Sequence, residues 1–365
     1  MSNFKRVIVT HYKSGLILLV SFSIFTHAYL VSHHEQGKDI QLVHQEHKAI
    51  QKNVPTSSPP QTIVAVVTKN HRSYVSLYAF KEPFGFQHTY NTLDRTHTVV
   101  YKGVEYRFTE GVPVLFRNGI ADSLDEPIVQ QETVLFTVED WKKYFGLSIH
   151  KEGKKLAVTA SPVNVLAKET LTKEEVEKRL ANPSIPVRGA KFPTYSGQLP
   201  GSPREYRNGY HEGVDWYTGG TGVSITKATI VYPVYKGKIV RIDKDYVEME
   251  EPYRESILDI SAHTEKTPDY ILDQLRGRQI WIQSDNGVLV RYAHLSQVNE
   301  TLHVGQIVGP SVAIAHAGNS GTSNGAKGTD DDVHPHTDLL VDGKLFYEYY
   351  DTLDEAISSL KKLFQ

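Results

Sequence analysis

Residues 15 to 31 read GLILLVSFSIFTHAYLV, an apolar run of 17 residues without a single Asp, Glu, Lys or Arg. So continuous an apolar surface needs a lipid phase or a buried partner, and the polar segment after it offers no partner. Its length is at the short end for a bilayer span. Lys5, Arg6 and Lys13 precede it, and basic flanks stay in the cytoplasm, so the chain beyond Val31 is expected outside the membrane. Thr26 and Ala28 form a small-x-small pattern with His27 inside it, which leaves two readings, an uncleaved membrane anchor over 15–31 and a cleaved signal peptide. The anchor is favoured.

Residues 32–62 are rich in His, Gln, Lys, Ser and Pro and run into NVPTSSPPQ. Too few apolar groups are present for a core, so the segment reads as a flexible linker. The remainder of the 365 residues suffices for two domains. With 40 Lys and Arg against 42 Asp and Glu, the formal charge is −2, and no basic field is available for nucleic acid. Cysteine is absent, so any metal must be held by histidine and carboxylate.

Strand-like runs begin near Thr62 (TIVAVVT, SYVSLYAF) and continue through VVYKGVEYRFTEG, VPVLFRNGIAD and KKLAVTAS, separated by turn residues. In TVEDWKKYFGL, Thr137 suits an N-cap, Trp141, Tyr144 and Phe145 fall at i, i+3 and i+4, and Gly146 is a stop. This order of strand, capped helix and closing strand resembles the copper amine oxidase N-terminal-like domain. The resemblance covers roughly 63–160 and implies a small α+β stalk domain, with neither copper nor oxidase activity. His71, His88 and His97 lack ligand spacing and are expected at the surface. LTKEEVEKRLANPS, within 161–183, reads as a connecting helix that starts at Thr172 and stops before Pro183.

Chemistry-bearing residues gather beyond this point. HEGVDW sets His211 and Asp215 four residues apart, about 13 Å on a straight strand, so the chain must bend if both hold one ion. VRYAHLSQV places His294 where a strand exits, after a hairpin turn at Asp285, Asn286 and Gly287. A glycine-rich loop containing GNSG then leads through TDDD to HPHTDLLV. His334 and His336, two apart, are expected on one strand face. If His336 held an ion, His334 would sit about 6.7 Å along the strand, within reach of a substrate oxygen or a water.

The sequence order H-x-x-x-D, Y-A-H-L, G-N-S-G, H-x-H, together with VYPVYKGKIVRI and VGQIVG, resembles the lysostaphin-type zinc metallopeptidases. The match covers about residues 186–345, inside an expected domain of 184–350. The resemblance implies a mainly β, antiparallel-sheet fold and one Zn²⁺ per chain held by His211, Asp215 and His336. It further implies that His294 and His334 are catalytic and that the substrate is a peptidoglycan peptide, in cross-links or stem peptides. The family usually continues its last motif as H-L-H-F-E, whereas Pro335, Thr337 and Asp338 stand here. Residues 246–278 look like a helical insertion, either a roof for the cleft or a solvated decoration. In it Thr267 and Pro268 suit a helix start, and Ile271, Leu272 and Leu275 share a face. The tail 351–365 reads as a helix with Leu353, Ile357, Leu360 and Leu363 on one side. The alternative function is a catalytically inactive wall-binding or scaffold module using the same groove.

Overall fold

The computed structural model describes residues 61–69, 71–124, 128–130, 133–152, 155–160 and 170–365. The expected anchor over 15–31 and nearly all of the linker lie outside these residues. Among the described residues no helix is long and apolar enough to cross a membrane.

The described residues form two compact units, one within 61–75 and 147–160, the other within 76–146 and 170–365. In the first, strand Lys155–Ala160 pairs antiparallel with Gln61–Val64 on one side and Leu147–Glu152 on the other.

The second unit carries a five-stranded antiparallel meander from Gln87–Asn91 to Ile120–Ser123. Helix Val138–Phe145 begins as the sequence predicts. Thr137 accepts a bond from the Asp140 amide, Gly146 closes the helix in the left-handed region, and Trp141, Tyr144 and Phe145 are buried. His97 departs from its expected place at the surface. It is fully buried, stacked between Tyr90 and Phe108, and bonded to His88 and Glu110. Burial lowers the pKa of His88 to about 4, assisted by the adjacent His97.

The principal sheet runs, all antiparallel, through Val214–Asp215, His336–Val341, Val288–Ala293, Ile280–Gln283, Gly237–Ile242 and Ile307–Val308. A second, three-stranded sheet orders Ile230–Val231, Ala315–Ala317 and Leu295–Val298. Alternation along the central strands divides their side chains between two cores. Val288, Val290, Tyr292, Leu339 and Val341 enter the main core with Leu295, Val298 and Ala315 of the second sheet. Leu289, Leu340, Trp281 and Val240 point the other way and pack on Val112, Val114 and Ala121 of the meander. Both faces are therefore covered, and all six residues of Val288–Ala293 are buried.

One helix follows its local patterning, and a second yields in part to packing. Helix Lys173–Arg179 starts in a complete capping box between Thr172 and Glu175, as its sequence indicates. The C-terminal helix, Leu353–Leu363, buries part of the expected leucine face, Leu360 fully and Leu363 half-buried against the main core. Ala356, Leu360 and Phe364 point inward while Leu353 is exposed. These inward residues follow an i, i+4, i+8 row, and the phenyl ring of Phe364 reaches Phe192 and Trp216. The larger aromatic contact sets the rotation of the helix.

Candidate functional site

His336 opens its strand, directly opposite Asp215 on one neighbour and Ala293 on the other. This register brings together residues that are 121 positions apart in sequence. Asp215 Oδ1 lies 2.7 Å from His336 Nδ1 and 3.0 Å from His211 Nε2, and the two imidazole nitrogens are 3.0 Å apart. His211, Asp215 and His336 are all buried. The predicted bend between His211 and Asp215 occurs at Gly213, where a Cβ would stand 2.1 Å from the Thr337 carbonyl oxygen. Gly213→Ala is expected to cost about 1–3 kcal/mol through this overpacking and to weaken metal binding. Thermal denaturation alongside metal titration measures both effects.

Each histidine has one nitrogen tied away from the centre. His211 Nδ1–H donates to the Leu199 carbonyl at 2.9 Å, and His336 Nε2–H donates to Asp338 Oδ1 at 2.5 Å. Those partners select the tautomers and leave His211 Nε2 and His336 Nδ1 as lone-pair donors beside the Asp215 carboxylate. With an ion in place of the proton that bonds His336 Nδ1 to Asp215 Oδ1, three electron-rich atoms converge, a donor set that fits Zn²⁺. Asp215 Oδ2, turned the other way, accepts from Arg204 Nη2 at 3.2 Å.

His294 and His334 border the same space. His294 Nδ1–H donates to the Ser320 carbonyl at 2.8 Å and His334 Nδ1–H to the Asp332 carbonyl at 2.7 Å, so both keep Nε2 free. Their ring centroids are 4.9 Å apart, and His334 Nε2 is 3.6 Å from Asp215 Oδ1. His294 holds a left-handed backbone, with φ at 57°, an uncommon conformation for a residue with a side chain. The GNSG loop holds both residues, the His294 ring through the Ser320 carbonyl and the His334 backbone through the Gly318 carbonyl, which accepts from the His334 amide. Tyr217 stacks on His334 with centroids 4.0 Å apart.

His334 does not share a strand face with His336 as expected. The strand begins only at His336, and Pro335 precedes it with its carbonyl accepting from the Trp216 amide. The residue on the same face as His336 is instead Asp338. The three departures from the family motif acquire roles here. Pro335 marks the strand start, and Thr337 Oγ1 accepts from the Trp216 indole at 3.0 Å. Asp338, fully buried, holds His336 and also pairs with Arg291 Nη2 at 2.7 Å and Arg276 Nε at 3.1 Å. Of the acidic run, Asp332 reaches His334 through its backbone carbonyl, while Asp330, Asp331 and Asp332 are exposed to water. His263 and His303 lie exposed and His316 half-buried.

Electrostatics follow these contacts. Burial pushes the Asp215 carboxyl up, but His211, His334 and the bond from His336 outweigh it and hold it well below its ordinary value. Burial opposes charge on His336, yet the flanking Asp338 and Asp215 carry it up to about 9. Burial drives His294 and His334 down, which favours neutral imidazoles able to accept a proton.

A cavity of about 540 Å³ opens over the five residues. The 246–278 segment forms part of its wall. Helix Glu251–Ala262 contributes Arg254, and helix Asp269–Leu275 contributes Leu272 and Leu275, with Arg276 following. A small core of Ile257, Ile271 and Leu275 joins the two helices. Thr267 does not cap the second helix; its hydroxyl donates to the Arg207 carbonyl and accepts from the Arg207 side chain. Sequence reasoning missed Arg204, Tyr217, Arg276 and Arg291. Only the i+2 spacing of Asp338 from His336 was a readable signal, because strand neighbours two apart share a face.

No protein-family profile matches the chain, and neither does any curated protein. Several solved structures are similar at low identity. A chain of the SpoIIQ–SpoIIIAH pore-forming complex is 18% identical with a TM-score of 0.28, matched over 49% of this chain and 97% of that one. Helicobacter pylori Csd3 is 12% identical with a TM-score of 0.26, over 74% of this chain, which spans only 49% of the Csd3 chain. The catalytic domain of the antimicrobial peptidase lysostaphin from Staphylococcus simulans is 17% identical with a TM-score of 0.23, over 47% of this chain and 86% of that one. At TM-scores this low the chemistry of the site rests on its own residues.

Proposed function

We propose that this protein is a zinc metalloendopeptidase that hydrolyses peptide bonds in peptidoglycan cross-links or stem peptides. The observation that carries this reading is the convergence of His211 Nε2, Asp215 Oδ1 and His336 Nδ1 on one point, with the free nitrogens of His294 and His334 beside it. His211, Asp215 and His336 would hold one Zn²⁺, whose Lewis acidity serves both the scissile carbonyl and the water that attacks it. The chain's own contribution is proton handling and orientation. A neutral His294 or His334 can take a proton from water and return it to the leaving amine, and the other can donate to the developing oxyanion. Asp338 keeps His336 in the tautomer that exposes Nδ1, and Arg204 orients Asp215.

In this reading residues 1–31 form a membrane anchor or a cleaved signal peptide and 32–62 a linker, with the peptidase domain outside the membrane. The retention of all five residues favours activity over a purely scaffolding role. The test is metal content of the purified protein by mass spectrometry, coupled to release of soluble fragments from purified peptidoglycan. One zinc per chain is expected, with release abolished by chelation and restored by zinc. Absence of both zinc and release would sink the proposal, and wall binding without release would favour the scaffold.

A further inference from the structure

Four guanidinium groups, of Arg204, Arg207, Arg254 and Arg276, line the cavity, and they are unequally matched. Arg204 pairs with Asp215, and Arg207 makes two bonds to Glu212, at 3.0 and 2.9 Å. Arg254, by contrast, is held only by neutral acceptors, with Nε on the Gly321 carbonyl at 3.0 Å and Nη1 on Ser323 Oγ at 2.7 Å. Among the described residues no carboxylate lies within ion-pair distance of it. The nearby Glu248 carboxylate is engaged by the Gly321 amide and the Tyr246 hydroxyl. Arg276 uses Nε for Asp338 and leaves Nη2 buried without a partner. Both side chains line the cavity, and the residues are only 8% and 6% exposed.

A buried guanidinium without an anion is costly. Burial lowers the Arg254 pKa, with partial relief from Tyr206 and Glu248. A substrate carboxylate would supply the missing acceptor, and a planar guanidinium is the side chain best shaped to take it. Both residues belong to the 246–278 segment, whose helices lie outside the sheet that carries Asp215 and His336.

We propose that Arg254 forms a carboxylate-recognition subsite, so that the preferred substrate is a peptide with a free carboxylate beside the cleaved bond. This rests on the hydrolase reading above and narrows it from wall peptides in general to those ending, or branching, in a carboxylate. Neutral cross-bridges are then poor substrates.

The experiment uses the full chain. Acetyl-D-alanyl-D-alanine and its C-terminal carboxamide are titrated calorimetrically into metal-free protein, which removes direct coordination of the carboxylate by metal. The zinc-loaded protein is separately given peptidoglycan peptides with free or amidated carboxylates. The acid is expected to bind about tenfold tighter than the amide or better, as a charge-assisted bond to a buried guanidinium implies. Arg254→Met should bring the two ligands to near equality, and Arg254→Lys should restore part of the preference. Equal binding of acid and amide by the unmodified protein overturns the subsite, as does a preference that survives Arg254→Met. The acid and amide comparison in unmodified protein needs no variant, so misfolding of Arg254→Met leaves the test intact. Hydrolysis without an acid preference refutes the subsite alone. An acid preference without any hydrolysis supports the subsite and refutes the enzymatic reading.

Discussion

Alanine at position 294 is expected to lower peptide hydrolysis about a hundred- to ten-thousand-fold, the range for loss of a positioned acid or base, while zinc stays bound. The expectation follows from the separation of roles around the cleft. His294 Nδ1–H is committed to the Ser320 carbonyl, and its Nε2 faces His334 and His336 across ring distances of 4.9 and 5.7 Å. The convergent cluster is His211, Asp215 and His336 without it. Zinc content and turnover should therefore part company in His294→Ala, whereas His336→Ala should lose both. Turnover measured on peptidoglycan peptides, with zinc quantified in the same samples, decides the matter. Full activity would remove His294 from the chemistry, and a parallel loss of zinc would make it a ligand. His334→Ala is expected to resemble His294→Ala, although removal of the ring stacked on Tyr217 also opens that side of the cleft.

Asp338→Asn is expected to weaken zinc binding about 10- to 100-fold, as loss of a supporting partner to a metal-ligating histidine does, and to destabilise the fold by about 3–5 kcal/mol, as loss of one member of a buried ion pair does. Two consequences meet in this one carboxylate. Asp338 Oδ1 accepts from His336 Nε2, so the charge that orients the ligand ring would be gone. Asp338 Oδ2 accepts from Arg276 and Arg291, which would then be two buried cations without an anion. Burial pushes the Asp338 carboxyl up, but Arg291, His336 and Arg276 together hold it well below its ordinary value. Zinc affinity by competition with a chromophoric chelator, and chemical denaturation of metal-free protein, separate the two losses. An unchanged affinity would show that His336 is held in place by the strand register alone.

Legibility varied with the distance over which each interaction acts. The capped helices at Thr137 and Thr172 and the hairpin at Asp285–Gly287 depend on neighbours within a few residues, and the chain's own order displays them. The candidate ligands were also legible, because His and Asp in glycine-punctuated motifs are uncommon enough to stand out together. His97 was misread, since its burial depends on Phe108 and Tyr90 from adjacent strands. The inward face of the last helix was legible only in part, at Leu360 and Leu363, for a similar reason. Local periodicity weighed four aliphatic residues, while packing favoured the aromatic ring of Phe364.

Sequence by itself determined the residue types available to the site, the absence of cysteine chemistry, and the order in which His211, Asp215, His294, His334 and His336 occur. Residue types and short-range spacing are properties of the chain, and they limit which donor sets can exist. Only the tertiary structure decided that Asp215 lies opposite His336 across two strands, and that Asp338 faces Arg291 across the next pair. It also decided that the 246–278 segment brings two arginines to the lining of the cleft. Strand register arises from burying both faces of the sheet at once, a balance among side chains separated by more than a hundred residues, and no local pattern encodes it.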